Sequence, residues 1–293
     1  MKIAVIGAGK MGRWFIRFFL NEGYTVEVIE KNERKFSTLK DEIGINPTKD
    51  YSIVRNVDRI MVAVPLNNFE ETIKSISPYI GQEQVVLDIC SLKEKPVKIM
   101  HKHIRFGTTL GMHPLFGPGA KSISGHNIVL TPVKYREKRF AQEFKKWLEE
   151  KGANVHIMSP KKHDKLMSIV LYLPHIVGLL VCDTLVEYKF YDEAKKISGT
   201  SYKLLITLAE SIALEDPEFY ATLHTSIPEA EKIGVKLLKK LEQWVNIVRK
   251  KDTEMLTKRM MNIKSKIEKI NPEYTKSYQN MYNILESLRN VNG

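Results

Sequence analysis

A glycine-spaced turn between an apolar strand and an amphipathic helix constrains this chain from its first residues. In KIAVIGAGKMGRWF, Lys2 to Phe15, the glycines fall at Gly7, Gly9 and Gly12. The first allows a tight turn, the second lets the backbone approach a pyrophosphate, and the third lets the helix pack close to the strand. The helix N-terminus then faces the anion. The strand–turn–helix setting makes this a dinucleotide-binding fingerprint. Lys10 and Met11, which open the helix, join the three glycines as candidate cofactor-binding residues.

The strand–helix alternation continues to about residue 158. KIAVIG, YTVEVIE, RIMVAV, QVVLDIC, RFGTTLG, HNIVLTP and ANVHIM read as strands, and the segments 10–23, 32–43, 67–80 and 134–152 as helices. Such alternation predicts βαβ units, hence an α/β, Rossmann-type, doubly wound and mostly parallel sheet. From Ser159 strand signals stop, and Lys/Glu-faced helical patterns run on, punctuated by Asp216-Pro217, Ile227-Pro228 and Asn271-Pro272. The expected organisation is a dinucleotide-binding domain over 1–158 and an all-helical substrate-binding and dimerisation domain of about six helices over 159–293.

The charge balance of 46 Lys+Arg against 34 Asp+Glu gives a net +12. These cations are scattered through mixed-charge segments and do not interleave with aromatic residues as on a single-strand-binding surface, so no nucleic-acid partner is expected. Cys90 and Cys182 lie in apolar runs without metal-ligand spacing, which reads as reduced thiols and no metal site. Met1 and Lys2 lead straight into a strand, so a cytoplasmic location is expected. The longest apolar run, Leu166 to Val181, spans 16 residues and holds Pro174 and His175. That is shorter than the roughly 20 residues of a membrane span, and predicts a buried helix and no membrane.

Glu30 ends the second strand about 20 residues beyond the last glycine, where an acid accepts ribose hydroxyls and favours NAD. Lys31, Arg34 and Lys35 follow it and leave room for NADP. Val64 and Pro65, at the end of VAVP, reach the edge where open α/β sheets bind ligands. Ser91 and Lys93 follow the fourth strand at that same edge, the serine able to present a hydroxyl and the lysine to meet an anion; Asp88 reads as a cap of the turn. In GMHPLFGPG, Gly111 to Gly119, prolines and glycines restrict the backbone around His113, placed at a strand exit. Histidine suits proton transfer near neutrality, which makes His113 the candidate catalytic group.

GMHPLFGPG, with DICSLK before it and GAGKMG at the start, resembles the prephenate dehydrogenases and their arogenate dehydrogenase relatives of tyrosine biosynthesis. KKHDKLMSIVLYLPHIVGLL and SYKLLITLAESIALEDPEFYATL resemble the family's later helices, so the likeness spans about residues 1–226. It implies NAD(P)-dependent oxidative decarboxylation of prephenate to 4-hydroxyphenylpyruvate, with His113 accepting the hydroxyl proton and Ser91 orienting it. It also implies His175 as a substrate contact, Lys203 where a carboxylate-binding arginine of the family would fall, and a helical dimer built around Leu166–Val186. His163-Asp164 reads as capping more than chemistry. Arogenate in place of prephenate, or a β-hydroxyacid dehydrogenase-like enzyme of the same architecture, are the alternatives.

Overall fold

The computed structural model describes residues 1–291, with side chains described through 287. All seven expected strands form: β1 (Lys2–Ile6), β2 (Thr25–Ile29), β3 (Arg59–Val62), β4 (Val85–Asp88), β5 (Thr108–Pro114), β6 (Asn127–Thr131) and β7 (Asn154–Ile157). They make one sheet in the order β2-β1-β3-β4-β5-β6-β7. Every pair is parallel except β5–β6. The exception has a local cause. Helices α1 (Lys10–Asn21), α2 (Phe36–Ile43), α3 (Leu66–Ile76), α4 (Glu94–His103) and α5 (Tyr135–Glu150) provide the other crossovers. Residues 115–126 between β5 and β6 carry none, and a short connection can only return the chain antiparallel.

Alternate residues of each central strand feed opposite faces. Ile3 and Val5 pack with Trp14, Phe15 and Phe19 of α1 and with Phe144 and Leu148 of α5. Ala4 and Ile6 pack with Phe69, Ile73 and Ile76 of α3 and Met100 of α4. Burying a phenylalanine as completely as Phe69 stabilises the fold by about 3–5 kcal/mol relative to alanine. Helix α4 has no counterpart in the sequence reading, because Pro96 interrupts its pattern. A proline in the first helical turn is tolerated, since that turn's N–H groups have no intrahelical acceptor.

The chain divides into two compact units, one of Met1–Met167 with Ala221–Pro228, the other of Ser168–Tyr220 with the residues from Glu229 onward. The change in composition at residue 158 therefore precedes the division of contacts, and α6 (Pro160–Met167) belongs to the first unit. Within the second unit, the short α8 (Tyr191–Lys196) follows α7 (Leu173–Val186), and α7 crosses α9 (Thr200–Ala213) so closely that a Cβ on Gly178 would lie 2.6 Å from Ile212.

The apolar run departs from the expectation of a short buried helix. A five-residue π-turn, Ser168–Tyr172, joins α6 to α7 into one helical stretch of 27 residues. By length and composition alone it could cross a membrane, and only 6% of its most apolar window is buried within the protomer. Ile169, Val170 and Leu180 are 54%, 52% and 46% exposed. Sequence hydropathy signals that such a face must be covered, but not whether its own chain covers it.

Glu137 at the start of α5 is buried and joins three elements. It accepts hydrogen bonds from Thr109 Oγ1 of β5 at 2.6 Å, from the backbone N–H of Val133 and Lys134 at 2.7 and 3.0 Å, and pairs with His101 of α4. Burial pushes its carboxyl up, but these partners outweigh it and hold the carboxyl below the usual range. A depressed carboxylate contributes stability above its unfolded pKa, lost as pH falls through the folded value. Glu137→Gln is expected to cost about 1–3 kcal/mol at neutral pH and to flatten the acid limb of the stability curve. Urea titration of both proteins from neutral to acid pH measures this.

Candidate functional site

The glycine turn shows which of its residues are set by packing. Gly7 has a φ of 94°, and a Cβ there would lie 2.7 Å from the Ala63 carbonyl oxygen. A Cβ on Gly12 would lie 2.0 Å from the carbonyl of Gly7. Gly9 is different, because a Cβ there would meet nothing within 4 Å. Only that middle glycine keeps open space above the backbone. It is the N-cap of α1 with no side-chain cap, and the first turn carries no acid. Lys10 and Met11 form that first turn, whose backbone N–H groups suit a pyrophosphate. The residues present fit a dinucleotide.

The turn lies at the point where the strand order reverses, with β2 on one side of β1 and β3 on the other. Val64 is half-buried and Pro65, the exposed N-cap of α3, closes the end of β3. Glu30 is buried at the end of β2. Its Oε2 accepts the N–H of Ala8 at 2.8 Å, its Oε1 that of Asn32 at 2.9 Å, and Lys35 Nζ lies 3.3 Å away. Burial pushes the carboxyl up, but the two N–H donors and Lys35 prevail and keep it below the usual range. The acid thus ties the glycine turn to the end of β2.

The second part of the site grows from β5. Its pairing with β4 ends at Gly111 opposite Asp88, and β5 runs on through His113 and Pro114 beside β6. His113 is therefore inside the strand, not at its exit, and is 5% exposed. Its Nδ1 lies 2.9 Å from Nε2 of His163, and Nδ1 of His163 lies 2.7 Å from Oδ1 of Asp164. Asp164 in turn accepts the backbone N–H of Lys93 at 2.7 Å and of Glu94 at 2.8 Å, at the N-terminus of α4.

This chain of hydrogen bonds assigns the protons. Asp164 is an acceptor toward two amides, so His163 must donate to it from Nδ1. His163 Nε2 is then an acceptor, and Nδ1 of His113 must donate to it. The neutral His113 ring is left with its lone pair on Nε2. Burial first, then the electrostatic influence of His163 and of the Lys93 ammonium, holds His113 well below the ordinary histidine range.

Two sequence expectations change here. Lys93 is fully buried, and the anion it meets is a carboxylate of its own chain and not a ligand: its Nζ pairs with Asp88 and donates to the Met112 carbonyl at 2.8 Å. Its backbone, capped by Asp164, and its charge beside His113 are what it brings to the site. The group that orients His113 is His163, not Ser91, which is half-buried on the loop after β4 and makes no hydrogen bond to His113 among the described residues. Asp164 does cap a helix, as expected, but α4 and not its own.

His163 and Asp164 lie 50 or more positions from His113, and no local spacing connects them. The remaining candidates lie in the second unit. His175 of α7 packs against Tyr220 with ring centres 4.8 Å apart and planes tilted by 32°, and Lys203 is exposed on α9.

Comparison with known proteins gives two family matches. Residues 16–157 match the family described as prephenate dehydrogenase, nucleotide-binding domain, and residues 159–262 the one described as prephenate dehydrogenase, dimerization domain. The "Probable arogenate/prephenate dehydrogenase" of Methanocaldococcus jannaschii is 30% identical over 265 residues, covering 89% of this chain and 59% of that protein. The T-protein of Enterobacter agglomerans is 25% identical over 228 residues, covering 75% and 55% respectively. The chain thus spans a little over half the length of these curated relatives. Among solved structures, prephenate dehydrogenase from A. aeolicus with hydroxyphenyl propionate and NAD+ superposes with a TM-score of 0.75 at 24% identity, covering 92% of this chain and 98% of that one. Synechocystis arogenate dehydrogenase gives 0.69 at 17%, covering 92% and 100%. At these identities the structural likeness establishes the fold.

The contrast between the glycines is testable. Gly12→Ala is expected to lower Tm sharply or prevent folding, because its Cβ collides with backbone. Gly9→Ala should keep the wild-type Tm and lose at least about tenfold in dinucleotide affinity (about 1.4 kcal/mol). Thermal melts and titration calorimetry separate the two.

Proposed function

The chain belongs to the prephenate dehydrogenase family, and we propose that it oxidises prephenate with NAD, releasing carbon dioxide and 4-hydroxyphenylpyruvate. The observation that carries this reading is the His113–His163–Asp164 chain, which presents a neutral imidazole with a free Nε2 lone pair at the ligand edge of the sheet. Bound NAD would supply the hydride acceptor, held by Gly7, Gly9, Lys10, Met11, Gly12 and Glu30, with Val64 and Pro65 against its adenosine.

His113 Nε2 accepts a hydrogen bond from the ring hydroxyl of prephenate and takes its proton as hydride leaves the same carbon. The carbon–carboxylate bond then breaks, its electron pair aromatises the ring, and the phenolate oxygen recovers a proton from His113. Because the imidazole is buried, its partner His163 keeps it in one orientation and one tautomer. Ser91 offers its hydroxyl beside the nicotinamide position. His175 and Lys203 are the proposed substrate contacts of the helical unit, the lysine as a point charge for a carboxylate. NADP as an alternative cofactor follows from Lys35 on Glu30, whose charge eases the approach of a phosphate.

Arogenate is the second reading, favoured by the double name of the M. jannaschii relative. A homodimer is part of the proposal: the exposed apolar residues Ile169, Val170 and Leu180 fall in the matched dimerization domain, and a second copy would cover them. Leu180→Glu should then shift the protein toward monomer in sedimentation.

The deciding experiment pairs prephenate or arogenate with NAD or NADP and follows nicotinamide reduction. Turnover is expected with prephenate and NAD. Silence in all four pairings, from folded protein, overturns the assignment. His113→Asn should lower kcat by about 10²–10⁴-fold. His163→Asn should lower kcat less, with KM near wild type. As the imidazole stays neutral well below the ordinary value of about 6.5, the wild-type rate should be flat through neutrality and fall only in more acid solution.

A further inference from the structure

A groove of about 640 Å³ runs along the outer face of α1, closed on its other side by the loop that leaves β5. It belongs to none of the roles assigned above, although Lys10 at one end marks its neighbourhood to the glycine turn. Its size is that of a small-molecule site. Its floor is Trp14 and Phe18, stacked at 5.5 Å between ring centres, with Phe116 edge-on to Trp14 at 4.9 Å. Trp14 Nε1 donates to the carbonyl of Ala120 at 2.6 Å, so the loop is fastened to the helix before any ligand arrives.

The charges along the walls do not cancel. Five cations, Lys10, Arg13, Arg17, Lys121 and Lys151, line the groove with only two acids, Glu22 and Glu42. Arg17 pairs with Glu42 at 2.8 Å, and Lys151 pairs with Glu22. Arg13 and Lys121 carry no carboxylate partner among the described residues. They approach the groove from different elements, α1 and the loop, with Ser122 beside the lysine. A single carboxylate would satisfy one of the two cations. An anion with several oxygens and more than one charge can bridge both, and the arginine fork matches phosphate geometry. The apolar floor strengthens such contacts by limiting water on one side.

We propose that this groove is a second anion site, which takes a small polyanion of the phosphate class between Arg13 and Lys121. Occupancy clamps α1 to residues 115–123, the segment that directly continues the strand of His113. The ligand would thereby stabilise the end of β5 without touching the reacting groups.

The test titrates the whole protein with inorganic phosphate and with pyrophosphate, against chloride at matched ionic strength, following tryptophan fluorescence and Tm. A saturable fluorescence change and a rise in Tm of about 2–4 °C are expected, persisting in saturating NAD. Arg13→Ala and Lys121→Ala should each weaken this binding about tenfold while leaving the NAD affinity unchanged. Arg13→Lys, which keeps the charge and loses the fork, should weaken it less and replaces the alanine variant should that fail to fold. No saturable response beyond the chloride control overturns the proposal. So does displacement of the anion by NAD, or a parallel loss of NAD affinity in both variants, either of which would assign the groove to the cofactor.

Discussion

The buried carboxylate of Asp164 is the contact on which the His113 half of the candidate site depends. A carboxylate taken out of water must be met by donors, and here it finds two backbone amides at the start of α4 and the imidazole of His163. The three bonds lock α6 to α4, fix which nitrogen of His163 carries a proton, and through it fix the tautomer of His113. Helix capping and proton bookkeeping, usually separate matters, are performed by one side chain. The site therefore needs no charged partner for His113 itself, and a neutral imidazole follows from its burial.

Lys93 and Asp88 complete this arrangement from the other side. A buried ion pair is a weak source of stability, because desolvation offsets most of the attraction. Its value here lies in position. The lysine holds the carbonyl of Met112, the residue before His113, and its charge opposes protonation of the imidazole. Gly111 makes this possible, since a Cβ there would lie 2.4 Å from Thr131 Oγ1 and 3.1 Å from Asp88 Oδ2. Glycine at this position of β5 is thus required first by Thr131 and Val97, and then by the Asp88 carboxylate.

Much of the first unit was legible in the residues. All seven strands were marked by β-branched runs, and the dinucleotide turn by its glycines, because both are local signals that neighbouring residues carry. Helix α4 was not, since Pro96 hides a helix whose first turn is completed by Asp164, 68 positions after Pro96 in the chain. Lys93 was misread for a related reason. In a loop with a serine it resembles an anion ligand, and only the sheet register that brings Asp88 and Met112 beside it shows where its charge goes.

By itself, the sequence determined the alternating architecture, the glycine-spaced turn, a histidine next to a segment restricted by proline and glycine, and an apolar helix that must be covered. These follow from backbone preference and hydrophobic periodicity, which act over a few residues. The tertiary structure alone decided the partner of His113, the tautomer it adopts, the burial of Lys93 and the exposure of the long helix within one protomer. Those properties depend on which distant side chains share a low-dielectric space. No periodicity encodes that; it is set by how the strands register and where α6 comes to rest against α4.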